Sequence, residues 1–520
     1  MVYKIEKIEK AADVEKKKGY QAVCVEDALS FTGFGKYNFG LLLVCSWTLQ
    51  AMGMDMFGAS FVVAAAVCDL ELTMQQRALL TAMPLAGVVA GAHLWGYISD
   101  TKGRKLTLMV SMSVGFLFSA LSSFSPNWII MAVLKFISST FTSASNSGAY
   151  TLLGESISAQ TRGRCLLLCT CSLMCSQATA AVFAYPILPL EFSYWIDFLG
   201  ITYRPWRLLV FVMALPCAAS ACFLHFFHES PKFLVSQGKY EDALNVLKNI
   251  YASNTGDDAD NFPIKKLLAD EETQSSAHHE TLFKSLWHQT VPLFQPPLLK
   301  QTLKLFYIVI VVYMTGSGFI LWLPYIMNNL FSVLQSGGGS GMNLCTIITY
   351  SIEKDSYILS GNNTNIQICD DSIQETTLFS AMTYGALASS ANLVLSLTCG
   401  GRKRIAMIGI LTMSSSAAIF LNVVKVPIAG GIFFFLFMLC ALSMGILSVY
   451  FVELYPTSLR GMVSCLSVMT GRLSAFFGVN VIGALITVNC EATFYGWSLL
   501  LISALIMTWF LPKERNPKLI

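Results

Sequence analysis

Three charged residues stand inside stretches of the chain that are otherwise apolar: Asp55, Lys135 and Arg472. An ionisable group at the centre of a bilayer costs about 2.5 to 3.5 kcal/mol on insertion scales, so each needs a partner or a purpose. A carboxylate and an ammonium in such surroundings suit charge exchange. Asp55 can bind a proton or cation, and Lys135 can be the counter-charge set free when it does; the plain alternative is a buried structural ion pair. Arg472 offers a fixed cation to cavity groups, to an anionic solute or to backbone carbonyls. These three are the candidates for substrate or ion coupling. Catalysis finds no support: the sequence holds no H-E-x-x-H, no G-x-x-x-x-G-K-[ST] and no G-x-S-x-G. His278, His279 and Glu280 have the Ser and Glu neighbours of a solvated linker rather than the setting of a metal site. The chain is therefore read as no enzyme and no ATP-driven pump, with no catalytic residue, metal or cofactor. Nor does anything build the ring of carbonyls or like charges of a channel filter.

The elements that hold these charges follow from composition. Of 520 residues, 54% are hydrophobic and 12% charged, against about 25% charged in an ordinary soluble domain. The mean hydropathy is +0.59. With 34 Lys+Arg against 31 Asp+Glu, the chain is neither a disordered segment nor a polybasic nucleic-acid binder. Only a helix satisfies every backbone polar group within its own segment, and about 20 apolar residues cross the bilayer core. Twelve stretches qualify, at residues 38–63, 77–98, 105–124, 128–153, 164–186, 206–227, 303–327, 377–398, 405–424, 427–452, 463–487 and 493–511. The first is too long and too deep in the chain for a cleaved signal peptide. Asp55 lies roughly 25 Å along span one and Lys135 enters span four from the other side, so the two reach a similar depth; Arg472 lies roughly 15 Å into span eleven.

Lys and Arg set the orientation, because cytoplasmic loops retain positive charge. With the N-terminus inside, cytoplasmic segments carry 27 of the 34 and the opposite side 5. Both termini are expected in the cytoplasm, in the plasma membrane or an intracellular vesicle. The exterior loop 328–376 holds the sequon Asn362-Asn363-Thr364 on the side where glycosylation occurs, and Cys345 and Cys369, which could bridge there. The remaining cysteines fall almost entirely in spans or leader and read as small buried hydrophobes.

The chain also repeats itself. Glu155 and Arg162-Gly163, after span four, recur 298 residues later as Glu453 and Arg460-Gly461, after span ten. The same offset takes Gly103-Arg104-Lys105, after span two, onto Gly401-Arg402-Lys403, after span eight. Two six-span halves are implied, a plan common among secondary transporters, with binding at the interface of the halves. The divisions expected are a cytoplasmic leader 1–37, a first bundle 38–227, a cytoplasmic linker 228–302 with short helices, a second bundle 303–511 and a tail 512–520.

Gly96-Tyr97-Ile98-Ser99-Asp100-Thr101-Lys102-Gly103-Arg104-Lys105 resembles the loop signature G-x-x-x-D-x-x-G-R-[RK] of the major facilitator superfamily. Gly96 would allow close helix approach, Asp100 would face a helix N-terminus or a basic partner, and Arg104 would bond helix-end carbonyls or acids of the opposing half. Thr398 stands where the second copy would have its acid, so an acid-dependent latch belongs to the first half. The Glu155/Arg162 and Glu453/Arg460 pairs resemble the E…R-G loops of sugar-porter-related members. Pro205-Trp206-Arg207 and Glu229-Ser230-Pro231-Lys232-Phe233-Leu234 are similar to their span-six entry and the segment leading to their cytoplasmic helices. Apolar Ala243, Leu244, Leu247 and Ile250 predict an amphipathic helix over 240–251. The leader, Val25-Glu26-Asp27-Ala28-Leu29 through Gly33-Phe34-Gly35-Lys36-Tyr37, resembles that of the synaptic vesicle glycoprotein 2-related group.

The resemblance implies an all-α membrane protein of twelve transmembrane helices in two six-helix repeats, with spans one, four, seven and ten around a central cavity. It implies a transporter of a small organic solute or ion working by alternating access as a monomer in the lipid bilayer, without nucleic-acid partners. Gly96, Asp100, Gly103, Arg104, Glu155, Arg162, Glu453 and Arg460 would form the cytoplasmic gate. The competing expectation is a non-transporting membrane binding or trafficking protein.

Overall fold

The computed structural model describes residues 23–267, 290–351, 372–398, 402–455 and 457–512. Asn362, Cys369 and the His278, His279, Glu280 cluster lie outside them. Twelve spans are present. Span one is Lys36–Ala65, broken at Gly58; span two Met74–Lys102; span three Arg104–Ser122; span four Trp128–Ser156, broken at Ser143. Span five is Ala159–Met174 with Ser176–Ile187, bent by 41° at Cys175, and span six is Pro205–His225. In the second half, span seven is Leu299–Gln335, eight Glu375–Thr398, nine Lys403–Val423, eleven Thr457–Ile486 and twelve Cys490–Trp509. Span ten is Pro427–Met438, a 3₁₀ turn at Leu439–Leu442, and Ser443–Leu454.

Local sequence explains where these helices start. Thr73 and Gln76 form a reciprocal capping box at span two. Asn127 and Asn489 accept the free N–H groups of Ile130 and Ala492, at 2.9 Å each, at spans four and twelve. Pro205 and Pro427 take the first positions of spans six and ten, where a missing N–H costs nothing. Spans two and four, and three and six, pair within the first half; seven and eleven, and nine and twelve, pair within the second. The halves meet along two seams, span two on span eleven and span five on span eight. The 298-residue offset carries the break in span four at Ser143 onto Ala441, inside the 3₁₀ turn of span ten. The bend in span five has no counterpart in the continuous span eleven.

Leader and linker lie together on one face, called here the terminal face. Helices Pro231–Ser236 and Tyr240–Thr255 bury Val235, Ala243, Leu247 and Ile250. Most of that apolar face packs on Val25, Ala28 and Leu29 of the leader helix Val25–Phe31, with Phe262, Ile264 and Leu267 closing the cluster. Buried aliphatic side chains of this size each contribute about 1.5 to 3 kcal/mol. Asn254, near the end of the linker helix, donates to Thr32 O at 3.1 Å and accepts from Tyr37 N at 3.1 Å, fixing the entry to span one.

Two expectations need correction at the opposite face. Span seven runs to Gln335, and 344–351 is helical, so the segment after 327 is not all loop. Cys345 is bonded to Cys490, not Cys369. Nearness in sequence suggested the wrong pair; the helix after span seven folds onto the first turn of span twelve, where Asn343 Nδ2 also donates to Glu491 Oε1 at 3.1 Å and to Asn422 O at 2.9 Å. Cys68, after span one, is disulfide-bonded as well, so not every remaining cysteine is a small hydrophobe. Between spans five and six a hairpin, Tyr194–Ile196 against Ile201–Tyr203, turns through Gly200 at φ +61°. Non-reducing digestion followed by mass spectrometry is expected to yield a Cys345–Cys490 peptide pair. Replacing both by Ser is expected to cost about 4 to 5 kcal/mol for a loop this long, read as a lower midpoint in thermal melts.

Candidate functional site

Asp55 sits one turn before the break in span one, almost fully buried, and Lys135 faces it from span four. Lys135 Nζ lies 2.8 Å from Asp55 Oδ1 and also donates to Ser119 Oγ of span three at 2.9 Å. Ser119 passes its own proton to Asp55 Oδ1 at 2.9 Å. Ser139 donates to Oδ2 at 2.9 Å, and Ser138 shares its proton between Oδ2, 3.3 Å away, and Gly115 O at 3.0 Å. Both oxygens of the carboxylate are thus saturated by donors from spans three and four of the same half. Three serines at spacings that mean little in sequence hold this pair.

Arg472 stands apart. It is buried between the halves, where Nη1 donates to Met56 Sδ at 3.4 Å and the guanidinium lies 5.9 Å from the centre of the Tyr313 ring. Asp55 and Met56 are neighbours in span one, so one helix presents a carboxylate to its own half and a thioether to Arg472 of the other.

On the terminal face a second charge network gathers the loop motif. Arg104 Nε is 3.1 Å from Glu155 Oε2, and Nη2 is 3.2 Å from Asp100 Oδ1. Its guanidinium also stacks 4.7 Å from the centre of Phe233. Arg104 Nη1 also donates to Ser99 O at 3.3 Å in the last turn of span two, the expected bond to a helix-end carbonyl, whereas the acids it pairs with belong to its own half and not to the opposing one; span three starts at Arg104, and the side chain is spent on the adjacent ends of spans two and four. Asp100 is largely exposed. Glu229, in the linker, caps span three: its Oε1 accepts the N–H groups of Arg104 at 3.0 Å and Lys105 at 3.1 Å. Gly103 makes this possible, with φ +108° and a backbone on which a Cβ would sit 2.5 Å from Glu229 Oε2. Gly96 needs another reading than close approach, since a Cβ there would touch nothing within 4 Å.

Arg162 turns to the leader, 2.5 Å from Glu26 Oε1, while Lys232 of the linker holds Glu26 Oε2. Glu26 is the residue that the sequence reading quoted without a role. Ser230 joins linker and bundle by donating to Glu155 Oε2 at 2.5 Å. The side chains of Glu453 and Arg460 lie outside the described residues, so the second copy of the loop cannot be compared. At the opposite face Arg207, from the motif that opens span six, is buried against Asp69 at 3.2 Å and donates to Ser123 O and Ser125 O at 3.1 and 2.7 Å.

The profile of the "Sugar (and other) transporter" family matches residues 32–335, more than half of the chain. Synaptic vesicle glycoprotein 2C of Mus musculus is 26% identical over 345 residues, 62% of this chain and 46% of that protein. Synaptic vesicle glycoprotein 2B of Homo sapiens is 28% identical over 319 residues, 58% of this chain and 46% of that protein. The chain thus spans about half the length of these curated relatives. Among solved structures, the xylose transporter XylE from E. coli, partially occluded and inward open, superposes with TM-score 0.64 at 15% identity over 92% of this chain and 98% of its own. A D-xylose-proton symporter gives TM-score 0.60 at 14% identity over 92% and 99%. These structures share the fold.

Burial works against the Glu26 carboxylate, yet Lys232 and Arg162 outweigh it and hold its pKa below the ordinary value. A lowered folded-state pKa makes docking of the leader fully effective above the ordinary value near ~4.3, and weaker as pH falls through the lower one. Limited proteolysis of the leader between neutral and acid pH is expected to accelerate below about pH 4 in the wild type. In Glu26→Gln cleavage should already be fast at neutral pH and change little on acidification.

Proposed function

The chain belongs to the sugar (and other) transporter family, and on that premise we propose that it is a secondary active transporter moving a small organic solute or ion by alternating access. The observation that carries this reading is the Asp55–Lys135 pair, buried at membrane depth and held by Ser119, Ser138 and Ser139. Neutralising Asp55 with a proton, or displacing Lys135 with a cation, leaves one charge in low dielectric without its partner. That penalty is several kcal/mol, relieved only if spans one, three and four move to let water or solute in. Span one then carries the displacement to the seam between the halves, because Met56 touches Arg472. Ion arrival is in this way converted into rearrangement between bundles.

The remaining assignments follow the same reading. The charge bias of 27 to 5 supports a cytoplasmic terminal face. There Asp100, Arg104 and Glu155, with Glu453 and Arg460 of the second copy, act as the gate; Gly103 serves it by admitting Glu229, and Arg162 by anchoring the leader. Asn362 would then face the lumen or exterior, where it can be glycosylated, and the protein would work as a monomer in a plasma or vesicle membrane. Similarity to the synaptic vesicle glycoproteins favours one other reading, a binding or trafficking protein that moves nothing.

Metabolite profiling of cells, or of vesicles isolated from them, separates the two when wild type and Asp55→Asn are compared at matched abundance. A solute that changes with wild type and reverts in the variant is the expected result; no difference between well-expressed proteins would favour the binding reading. Asp55→Asn strands a buried ammonium and is expected to cost about 3 to 5 kcal/mol. Asp55→Asn combined with Lys135→Met should recover most of that stability in thermal melts while leaving flux abolished.

A further inference from the structure

Arg472 has no described carboxylate to pair with, although it is only 6% exposed. Its Nε finds no hydrogen-bond acceptor, and the one contact of Nη1 is a thioether sulfur, a weak acceptor. The other buried arginine of the spans is treated differently: Arg207 has Asp69 and two backbone carbonyls. Tyr313 supplies a ring face, and Gly471 lets that ring lie against span eleven, since a Cβ there would stand 2.7 Å from it. Tyr150 of span four is near enough to interact electrostatically with both Arg472 and Tyr313. Spans one, four, seven and eleven, two from each half, therefore converge on one guanidinium.

A second polar side chain is left unpaired where span five meets spans one and eight. Neither amide atom of Gln177 finds a partner, and the residue is buried. Its neighbours fix its place: Ser176 packs on Gly53 of span one, and Ala178 on Gly385 of span eight. Successive helical residues are about 100° apart, so Gln177 faces the space between span one and span eight. Gly53 is one turn from Met56, the residue that touches Arg472.

Resting on the transporter reading above, we infer that Arg472 is the anion-recognising group of the central site and that the substrate is a small organic carboxylate with an apolar or aromatic body. The Asp55–Lys135 pair is neutral as a unit, so among the described residues Arg472 leaves one positive charge between the halves with no facing carboxylate, which one carboxylate of a solute neutralises. A guanidinium is the side chain that takes a carboxylate through two parallel N–H bonds. The Tyr313 and Tyr150 rings and Met56 suit an organic body better than a fully hydrated inorganic anion. Gln177 provides donor and acceptor for a further polar group of the solute.

The test is thermal melting and equilibrium binding with the purified full-length protein, using benzoate and nicotinate, their neutral amides benzamide and nicotinamide, glucose, and inorganic phosphate. A carboxylate is expected to raise the melting midpoint of the wild type while its amide does not. Arg472→Gln should weaken that binding by roughly tenfold or more, with Arg472→Lys between the two. Without ligand, Arg472→Met should melt no lower than wild type, because it removes a buried cation that has no partner. Carboxylate binding unaffected by Arg472→Gln, no response to either carboxylate, a response to phosphate or glucose alone, or equal loss of unliganded stability in Arg472→Met and Arg472→Lys would each overturn the inference. Flux in reconstituted vesicles keeps the two readings apart: Arg472-dependent binding without flux removes transport and leaves the anion site, whereas flux of glucose insensitive to Arg472→Gln does the reverse.

Discussion

A carboxylate and an ammonium 2.8 Å apart in the interior of the first bundle cannot separate unless something replaces one of them. That constraint shapes the surrounding helices. Asp55 is bonded through both oxygens, so spans one, three and four are pinned at a common depth by hydrogen bonds rather than by packing alone. Bonds to a charged group are worth about 1.5 to 3 kcal/mol each, against about 1 for a neutral pair. Whatever neutralises Asp55 weakens the whole set together. A purely apolar seam would have held the same helices at no greater cost, and it would have had no chemical trigger.

Span one is the element that gives this trigger reach. Asp55 faces the first bundle, and the next residue, Met56, faces the second at Arg472. The helix breaks at Gly58, just beyond both, so the portion before the break can shift without dragging its far end. At its other end the helix is anchored through Asn254 to the linker, and the linker in turn through Glu229 and Ser230 to spans three and four. The terminal-face network is thus not separate from the buried pair. Both act on spans one, three and four, one at each end.

The sequence made some of this legible and hid the rest for identifiable reasons. Twelve apolar stretches are easily read because a bilayer demands about 20 such residues in a row, and the duplicated loops revealed the halves because their Glu, Arg and Gly recur at one offset. Asp55, Lys135 and Arg472 announced themselves by being costly where they stand. Ser119, Ser138 and Ser139 did not, since a serine in a span is ordinary and only the fold brings three of them onto one carboxylate. Glu229 and Glu26 were quoted for their resemblance, but their partners lie 125 and 136 residues away in the chain. Cys345 shows the same limit from the other direction. The nearer cysteine looked like its partner because loop length was visible and the return of span twelve was not.

The two halves repeat in plan but not in chemistry, and the differences fall where a transporter needs them. The break of span four recurs in span ten, and in both the last turn carries the Glu of an E…R-G motif whose Arg-Gly opens the next span. By contrast, among the described residues the buried ion pair and the bend in span five belong to the first half, as does the loop acid Asp100, which Thr398 replaces in the second copy. The second half contributes Arg472 and a tightly stacked aromatic core, in which Phe319 lies 4.8 Å from Phe437 and 5.3 Å from Phe494 between ring centres. A dense aromatic interior resists deformation, because close-packed rings cannot slide without opening voids. The buried pair of the first bundle, by contrast, loses its attraction when Asp55 is neutralised. On the proposed transport reading, the second half is then the firm body that presents a fixed cation, and the first the body that moves when its carboxylate changes charge.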